Sequence, residues 1–254
     1  MEYCQLYNQL KEAFDKGEEV ELPDLGIRIS HVPFFSEGAK YYLPGSEHLS
    51  CQEHNLSFTP QSTRTQDDLD WVDYEVSCNI HFHYHILQPI GKEKADGVIV
   101  FFHGLNEKKW DKYLPWAYKI AQQTGKTAIL FPIAFHMDRA PARWSSRQEM
   151  YAIAQKRQEQ YPDNSETSYV NAATSTRLEA FPQRLFWSGL QTYNDIVQLL
   201  TDLKAGQLPS IAPTASIDLF GYSIGSFLST ILMMANPKGY FVNAKLFCFC
   251  GGMT

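Results

Sequence analysis

One segment, from Ile217 to Ala235, constrains the fold of this chain more than any other. It begins as a short apolar run, continues as the pentapeptide GYSIG at 221–225, and ends as an apolar stretch of helical length. A buried strand that turns sharply into a helix needs small residues two positions before and after the turn, because these positions face neighbouring backbone. Gly221 and Gly225 meet that requirement. The segment predicts a strand, a strained turn at Ser223 and a helix.

Apolar runs and amphipathic segments alternate over the second part of the chain. Short continuous apolar runs predict strands at 98–102, 127–133, 216–220 and 244–250. Apolar residues at three- and four-residue spacing predict helices at 112–123, in a segment ending near 204, and at 224–235. Strands that are apolar on both faces are typical of a parallel sheet covered on both sides. The predicted fold class is therefore α/β, with a mostly parallel sheet flanked by helices.

The first part of the chain has less regular patterning. A helix is predicted at 2–16, irregular structure up to about residue 70, and two antiparallel strands at 71–77 and 79–87. We therefore expect an N-terminal α+β extension over 1–70 and a core over 71–254, with the two strands as its antiparallel lead-in.

Residues 134–181 form an insertion between a predicted strand and a predicted helix. Ser146 to Glu149 fits a capping box that starts a helix running towards Gln160. Insertions of this kind can cover an active site, so the segment is a candidate lid.

The turn at Ser223 favours nucleophilic chemistry. A helix that starts at Ile224 directs its free N–H groups towards the serine oxygen. Acyl transfer needs two backbone N–H donors for the oxyanion that develops on the carbonyl. We expect one from Ile224 and the other from Gly104 or Leu105, with Leu105 preferred; both follow His103 at the end of the strand 98–102. Gly104 would let the backbone approach a ligand closely.

The order strand, His-Gly, helix, strand, insertion, helix, strand, GYSIG, helix, strand resembles the α/β-hydrolase fold superfamily over about residues 75–254. The resemblance implies an esterase-like serine hydrolase of esters or related acyl compounds, with Ser223 as the nucleophile. It also implies a catalytic acid and then a histidine, both later in the chain than the serine. It does not indicate a subfamily.

The acid and histidine expected after Ser223 are missing from this sequence. The 31 residues that follow contain no Asp, Glu or His, and all eight histidines precede the serine. Three explanations stay open: a truncated piece of a longer protein, a non-catalytic relative that kept the turn for structural reasons, or an upstream base such as His103 or His136. We favour truncation, because a last strand that is apolar on both faces would leave an exposed edge.

Three histidines on one predicted strand suggest a possible metal site. His81, His83 and His85 alternate with apolar residues, so they share one strand face. No Cys, Asp or Glu nearby completes a tetrahedral ligand set. We therefore expect a solvent-facing stripe and no metal.

Other side chains are candidates for substrate contact. His103, Tyr222 and His136 are possible substrate-pocket residues. Arg139 and Arg143 could contact an anionic substrate, or they could pair with neighbours such as Asp138. The aromatic residues at 181–187 are expected to pack between the following helix and the insertion.

The composition argues against several classes of function. A net charge of −6 is unusual for a nucleic-acid-binding protein. No apolar run approaches the roughly 20 residues that span a bilayer, and the polar N-terminus has no signal-peptide pattern. Five cysteines without CxxC spacing are expected as reduced thiols, which indicates a cytoplasmic location.

The function predicted from the sequence is ester or acyl hydrolysis by Ser223, with a small-molecule substrate as the partner and no cofactor. The alternative is a catalytically inactive module that binds a ligand or a partner. The sequence does not indicate the oligomeric state.

Overall fold

The computed structural model describes residues 2–41, 49–51, 56–58, 76–91, 93–164, 167–172 and 184–251. Its principal helices are α1 Tyr3–Phe14, α2 Ser77–Ile80, α3 Leu114–Thr124, α4 Arg147–Gln160, α5 Arg184–Lys204 and α6 Ile224–Ala235. None of these described helices combines the length and the apolar character that crossing a membrane requires.

Seven strands form one mixed sheet in the order β1-β2-β5-β7-β6-β8-β9, and β3 pairs with β4 separately. The strands are β1 Val20–Leu22, β2 Ile27–Phe35, β3 Leu49–Cys51, β4 Leu56–Phe58, β5 His81–Pro89, β6 Ala95–Phe102, β7 Thr127–Leu130, β8 Ile211–Tyr222 and β9 Leu246–Phe249. The neighbours β7, β6, β8 and β9 pair in parallel, whereas β5 runs antiparallel to β2 and β7. The predicted α/β fold class, with a parallel core sheet preceded by antiparallel strands, is confirmed.

Strand β6 shows why its sequence is apolar on both faces. Val98, Val100 and Phe102 belong to the core beneath α5 and α6. Ile99 and Phe101 belong to the opposite core beneath α1 and α3. Helices therefore cover both sides of the sheet, and the continuous apolar run follows from double burial.

The sheet extends further towards the N-terminus than the sequence predicts. Residues 20–35, expected to be irregular, contribute β1 and β2, and β2 pairs with β5 along its whole length. Pro33 lies inside β2, and an internal proline argues against a strand when only the sequence is read. The strand predicted at 71–77 falls on 71–75, outside the described residues, while Ser77 begins α2. The division near residue 70 stays a prediction.

Helix α4 begins where the sequence predicts. The Ser146 hydroxyl accepts a hydrogen bond from the Glu149 N–H at 3.3 Å, which is one of the two hydrogen bonds of the predicted capping box and makes Ser146 the N-cap. A small core contains Val76 together with residues of the insertion, which include Phe135, Trp144, Met150, Ile153 and Ala154. The role of 134–181 as a lid stays a prediction.

His81, His83 and His85 do not form the solvent-facing stripe that their alternation predicts. His81 and His83 are exposed, but His85 is only 7% exposed. Its Nδ1 lies 2.8 Å from Nδ1 of His31 on β2, and the Phe14 ring of α1 contacts both imidazoles. Burial lowers the pKa of His85 to about 3. Among the described residues, no group of three metal-binding side chains is present.

Arg139 pairs with a distant carboxylate rather than with Asp138 or a substrate. Arg139 and Asp195 are both fully buried, and Nη2 donates to Asp195 Oδ2 at 2.9 Å. The guanidinium also donates to Asn79 Oδ1 at 3.2 Å, to the Asn79 carbonyl at 3.1 Å and to the Pro132 carbonyl at 2.9 Å. A fully buried guanidinium cannot contact a bound substrate, so of the two alternatives for Arg139 the structure favours pairing within the protein.

The surrounding hydrogen bonds join four segments of the fold. Ser36, at the end of β2, donates to Asp195 Oδ1 of α5 at 2.6 Å. The Asn79 amide of α2 donates to Gln191 Oε1 at 2.7 Å and accepts from the Phe135 N–H at 3.1 Å. Burial raises the pKa of Asp195, while the guanidinium and the serine hydroxyl favour its charged form. The side chain of Arg143 lies outside the described part of the chain.

Acidification is expected to destabilise the fold through His85. Its pKa of about 3 in the folded chain lies below its ordinary value of 6.5, so between these pH values the unfolded state binds a proton that the folded state does not. The free energy of unfolding is expected to fall by up to about 1.4 kcal/mol per pH unit from this group. Urea unfolding across this pH range, with His85→Gln and the exposed control His81→Gln, measures the effect. His85→Gln should weaken the pH dependence; a dependence equal to that of the wild type would contradict the prediction.

Removal of one partner from the buried ion pair is expected to destabilise the protein strongly. Asp195→Asn should lower the free energy of unfolding by about 3–5 kcal/mol, because the Arg139 charge stays buried without its counter-charge. Asp15→Asn, which removes the solvent-exposed Lys11–Asp15 pair, is the control and should have little effect. Urea unfolding measures the free energy of unfolding of both variants. Equally small losses in the two variants would contradict a stabilising role of the buried ion pair.

Candidate active site

Ser223 occupies the sharp turn between β8 and α6. Its backbone has φ 54° and ψ −118°, a conformation that a serine rarely adopts. The Ser223 N–H donates to the Phe249 carbonyl of β9 at 3.0 Å. The side chain is partly exposed and does not cap the helix. The structure thus places Ser223 in a strained turn between a strand and a helix.

Gly221 and Gly225 permit this turn because their neighbours leave no room for a side chain. A Cβ on Gly221 would lie 2.5 Å from the Ser226 Cα, and one on Gly225 would lie 2.6 Å from the Phe102 carbonyl oxygen. Both contacts are with backbone atoms, which cannot move aside as a side chain can. The start of α6 therefore rests directly on the end of β6.

The loop after β6 reaches the same edge of the sheet. The Gly104 N–H donates to the Tyr113 hydroxyl at 2.9 Å, and this hydroxyl donates to Glu107 Oε1 at 3.3 Å. The Gly104 amide is therefore occupied within the protein. Leu105, the next residue, is 46% exposed. This arrangement favours the Leu105 amide over that of Gly104 as an oxyanion donor, and the donor role stays a prediction.

Tyr222 packs between this loop and the turn. A Cβ on Gly104 would lie 2.9 Å from the Tyr222 ring, so glycine allows the ring its close approach. The Lys112 ammonium lies 4.1 Å from the ring centroid and forms an ion pair with Glu107. A cation over an aromatic face is attracted to it, so Lys112 helps to hold Tyr222 against the loop.

His103 is fully buried and both of its ring nitrogens bond to backbone. Nε2 accepts from the Ile133 N–H at 2.9 Å, so the proton resides on Nδ1, which donates to the Gly104 carbonyl at 2.8 Å. Burial lowers the pKa of His103 well below its ordinary value. His103 therefore connects the ends of β6 and β7, and the structure does not place it in a substrate pocket.

The described histidines do not reach Ser223. His136 is 9% exposed, and its Nδ1 lies 2.9 Å from the Ala134 carbonyl oxygen. Among the described residues, no histidine or carboxylate forms a hydrogen bond with the Ser223 hydroxyl. His48 and His54 lie outside the described residues. The proposed roles of His103 and His136 as an upstream base therefore gain no support from this geometry.

An apolar groove opens beside the turn, between α5 and α6. Its volume is about 520 Å³, within the range of small-molecule sites. Ile224, the residue after Ser223, lies in its wall, and none of the described side chains that line it is charged. The lining includes Leu185, Phe186, Leu190, Phe227 and Ile231.

Part of the segment 181–187 lines this groove. The sequence instead predicts that the aromatic residues of this segment pack between the following helix and the insertion. Leu185 and Phe186 are 53% and 51% exposed, whereas Trp187 packs on the small core near α4. The role of Tyr113 could not be predicted from a sequence motif, because the hydrogen bond from the Gly104 N–H to its hydroxyl forms only in the folded chain. A glycine inside an amphipathic helix, Gly189, is the one local signal of the groove.

A family model described as a family of unknown function, DUF6051, matches residues 1–254. The chain belongs to DUF6051. No curated protein matches this DUF6051 chain.

Several solved structures are similar to the DUF6051 chain at low identity. One is a candidate acetyl xylan esterase from Bacteroides fragilis, with 13% identity, a TM-score of 0.42, and coverage of 90% of this chain and 48% of the other. Carboxyl esterase 2 from Tuber melanosporum has 13% identity, a TM-score of 0.34, and coverage of 63% and 36%. A thermostable esterase from Pseudomonas putida has 11% identity, a TM-score of 0.39, and coverage of 94% and 47%. The chain thus spans about half or less of the length of these structures.

A methyl group at the turn is expected to destabilise the DUF6051 chain. Gly225→Ala should lower the free energy of unfolding by about 1–3 kcal/mol, because its Cβ would push against the Phe102 backbone. Gly189→Ala is the control: its Cβ would meet nothing within 4 Å among the described residues, and alanine favours a helix by up to about 1 kcal/mol. Urea unfolding compares the two, and unchanged stability in Gly225→Ala would contradict the close contact.

Proposed function

We propose that this DUF6051 chain contributes the nucleophile of a serine hydrolase that cleaves esters or related acyl compounds. The observation that carries the proposal is the backbone of Ser223, which has φ 54° at the start of α6. A non-glycine residue held in such a conformation costs about 1–3 kcal/mol, and residues of this kind concentrate at functional sites. The partly exposed hydroxyl at a helix N-terminus is suited to attack on a bound carbonyl.

In the proposed reaction, the Ser223 oxygen attacks the carbonyl carbon of the ester. The carbonyl oxygen of the ester then becomes an oxyanion. The N–H groups of Ile224 and Leu105 donate to this oxyanion. The alcohol then leaves with the proton given up by the serine, and the acyl group remains on Ser223. Water cleaves this acyl-enzyme, which releases the acid and restores the hydroxyl. The Tyr113 contact with Gly104 supports the assignment of Leu105, because the Gly104 amide already donates within the protein.

A general base for Ser223 is the part of this mechanism that the described residues do not supply. His103 uses both ring nitrogens for backbone contacts, and His85 is paired with His31. This observation favours a second candidate function, a catalytically inactive module that binds a small acyl compound. The two candidates share the groove and differ in the reactivity of Ser223.

We also propose a small acyl compound as the partner and the cytoplasm as the location. The groove has a volume suited to a small molecule and an uncharged lining among the described residues. Four described cysteines are free thiols, which a reducing compartment preserves.

Covalent labelling with a fluorophosphonate tests the proposal. The Ser223 oxygen would bond to phosphorus while fluoride leaves, and the adduct would persist on a denaturing gel. The full-length gene product is expected to be labelled, and Ser223→Ala is expected to lose all labelling. Ser30→Ala, which removes a hydroxyl from β2, is the matched control and should be labelled like the wild type.

Two results would contradict the hydrolase proposal. If the folded full-length protein stays unlabelled, Ser223 is unreactive and the inactive binding module is the better description. If Ser223→Ala keeps its labelling, another residue carries the reactivity. Mass spectrometry of the labelled peptide distinguishes these cases.

A further inference from the structure

We propose that the groove between α5 and α6 binds the acyl chain of the substrate and that Gly189 keeps it open. The inference rests on the proposed function and narrows its substrate class. The favoured substrates are esters of medium-length aliphatic acids, and acetyl esters are disfavoured.

The position of the groove follows from Ile224. The N–H of this residue is the proposed oxyanion donor, and its side chain lies in the groove wall. A carbonyl bound at that N–H therefore sits at the groove, and the chain attached to its carbon has an apolar surface beside it.

The lining of the groove selects an apolar occupant. Leu185, Phe186, Phe227 and Ile231 are between 39% and 53% exposed, so each leaves apolar surface in contact with water. A contiguous apolar surface of this kind favours an apolar ligand. The volume of about 520 Å³ lies within the range of small-molecule sites, so the groove can hold an inserted aliphatic chain.

Gly189 gives independent support, because neither its backbone conformation nor any described neighbour requires a glycine there. The residue lies inside α5, where glycine is less favourable than alanine. Its φ is not positive, and a Cβ would meet nothing within 4 Å among the described residues. Neither backbone conformation nor packing there requires glycine. A larger side chain at this position, which lines the groove, would occupy the space.

Two fluorophosphonates that differ in chain length test the proposal on the full-length protein. One carries an ethyl group on phosphorus and the other an octyl group, which stands in for the acyl chain. The wild type is expected to react at least tenfold faster with the octyl probe, since each methylene buried fully would raise affinity by about fourfold. Equal rates with the two probes would overturn the groove assignment.

Substitutions of increasing size at Gly189 test whether the acyl chain binds beside this residue. Gly189→Ala should reduce the octyl preference slightly, Gly189→Leu more, and Gly189→Phe should abolish it while the ethyl probe still reacts. Met234→Phe adds an aromatic ring to an 82% exposed position of α6 outside the groove, and it should keep the wild-type preference. An undiminished preference in folded Gly189→Leu and Gly189→Phe would contradict the proposal.

Direct binding of octanoate separates this proposal from the hydrolase proposal. Calorimetry should show that octanoate binds the wild type and Met234→Phe, and that Gly189→Phe binds at least tenfold more weakly. If octanoate binds in this way but no probe labels Ser223, the groove stands as a chain-binding site and the hydrolase proposal fails. If Ser223 is labelled but octanoate does not bind the wild type, the groove proposal alone is overturned.

Discussion

The buried ion pair of Arg139 and Asp195 is the interaction on which the remaining structure depends. Two charges without solvent contact are stable only when each is matched by hydrogen bonds. Here Asn79, Ser36 and the Pro132 carbonyl supply them. Because these partners belong to β2, α2, the loop after β7 and α5, one network sets the antiparallel strands against the helix that forms a wall of the groove. The attraction between the two charges and these hydrogen bonds offset the cost of burying the pair.

The loop after β7 has a strained backbone, and hydrogen bonds to neighbouring segments stabilise its conformation. Phe135 and Met137 have φ values of 61° and 52°, each in a region that costs a non-glycine residue about 1–3 kcal/mol. The Phe135 N–H donates to the Asn79 side chain, and the Met137 N–H donates to the Glu107 carbonyl at 3.2 Å. The loop after β7 is thus tied to the loop after β6. The strained turn at Ser223 is held in a similar way, by a hydrogen bond to β9.

The proposed nucleophile, oxyanion donors and acyl groove converge because the parallel strands end at one edge of the sheet. Ser223 follows β8, Leu105 follows β6, and Ile224 belongs both to the donor pair and to the groove wall. His103 connects β6 and β7 at that edge through two backbone hydrogen bonds. Its burial explains how a histidine so close to the proposed oxyanion loop has a structural role.

Local sequence patterns were sufficient for the α/β alternation, the helix from Ile224 and the strained turn at Ser223, because strand and helix periods and a requirement for small residues act over a few positions. Tertiary structure alone decided that His85 is buried, that Arg139 pairs with Asp195, and that Gly189 lines a groove. Strand β2 was likewise not predicted, because Pro33 lies inside it, and only its pairing with β5 identifies it as a strand. Each of these depends on residues distant along the chain, and burial, ion pairing and cavity shape are properties of such contacts rather than of any local segment.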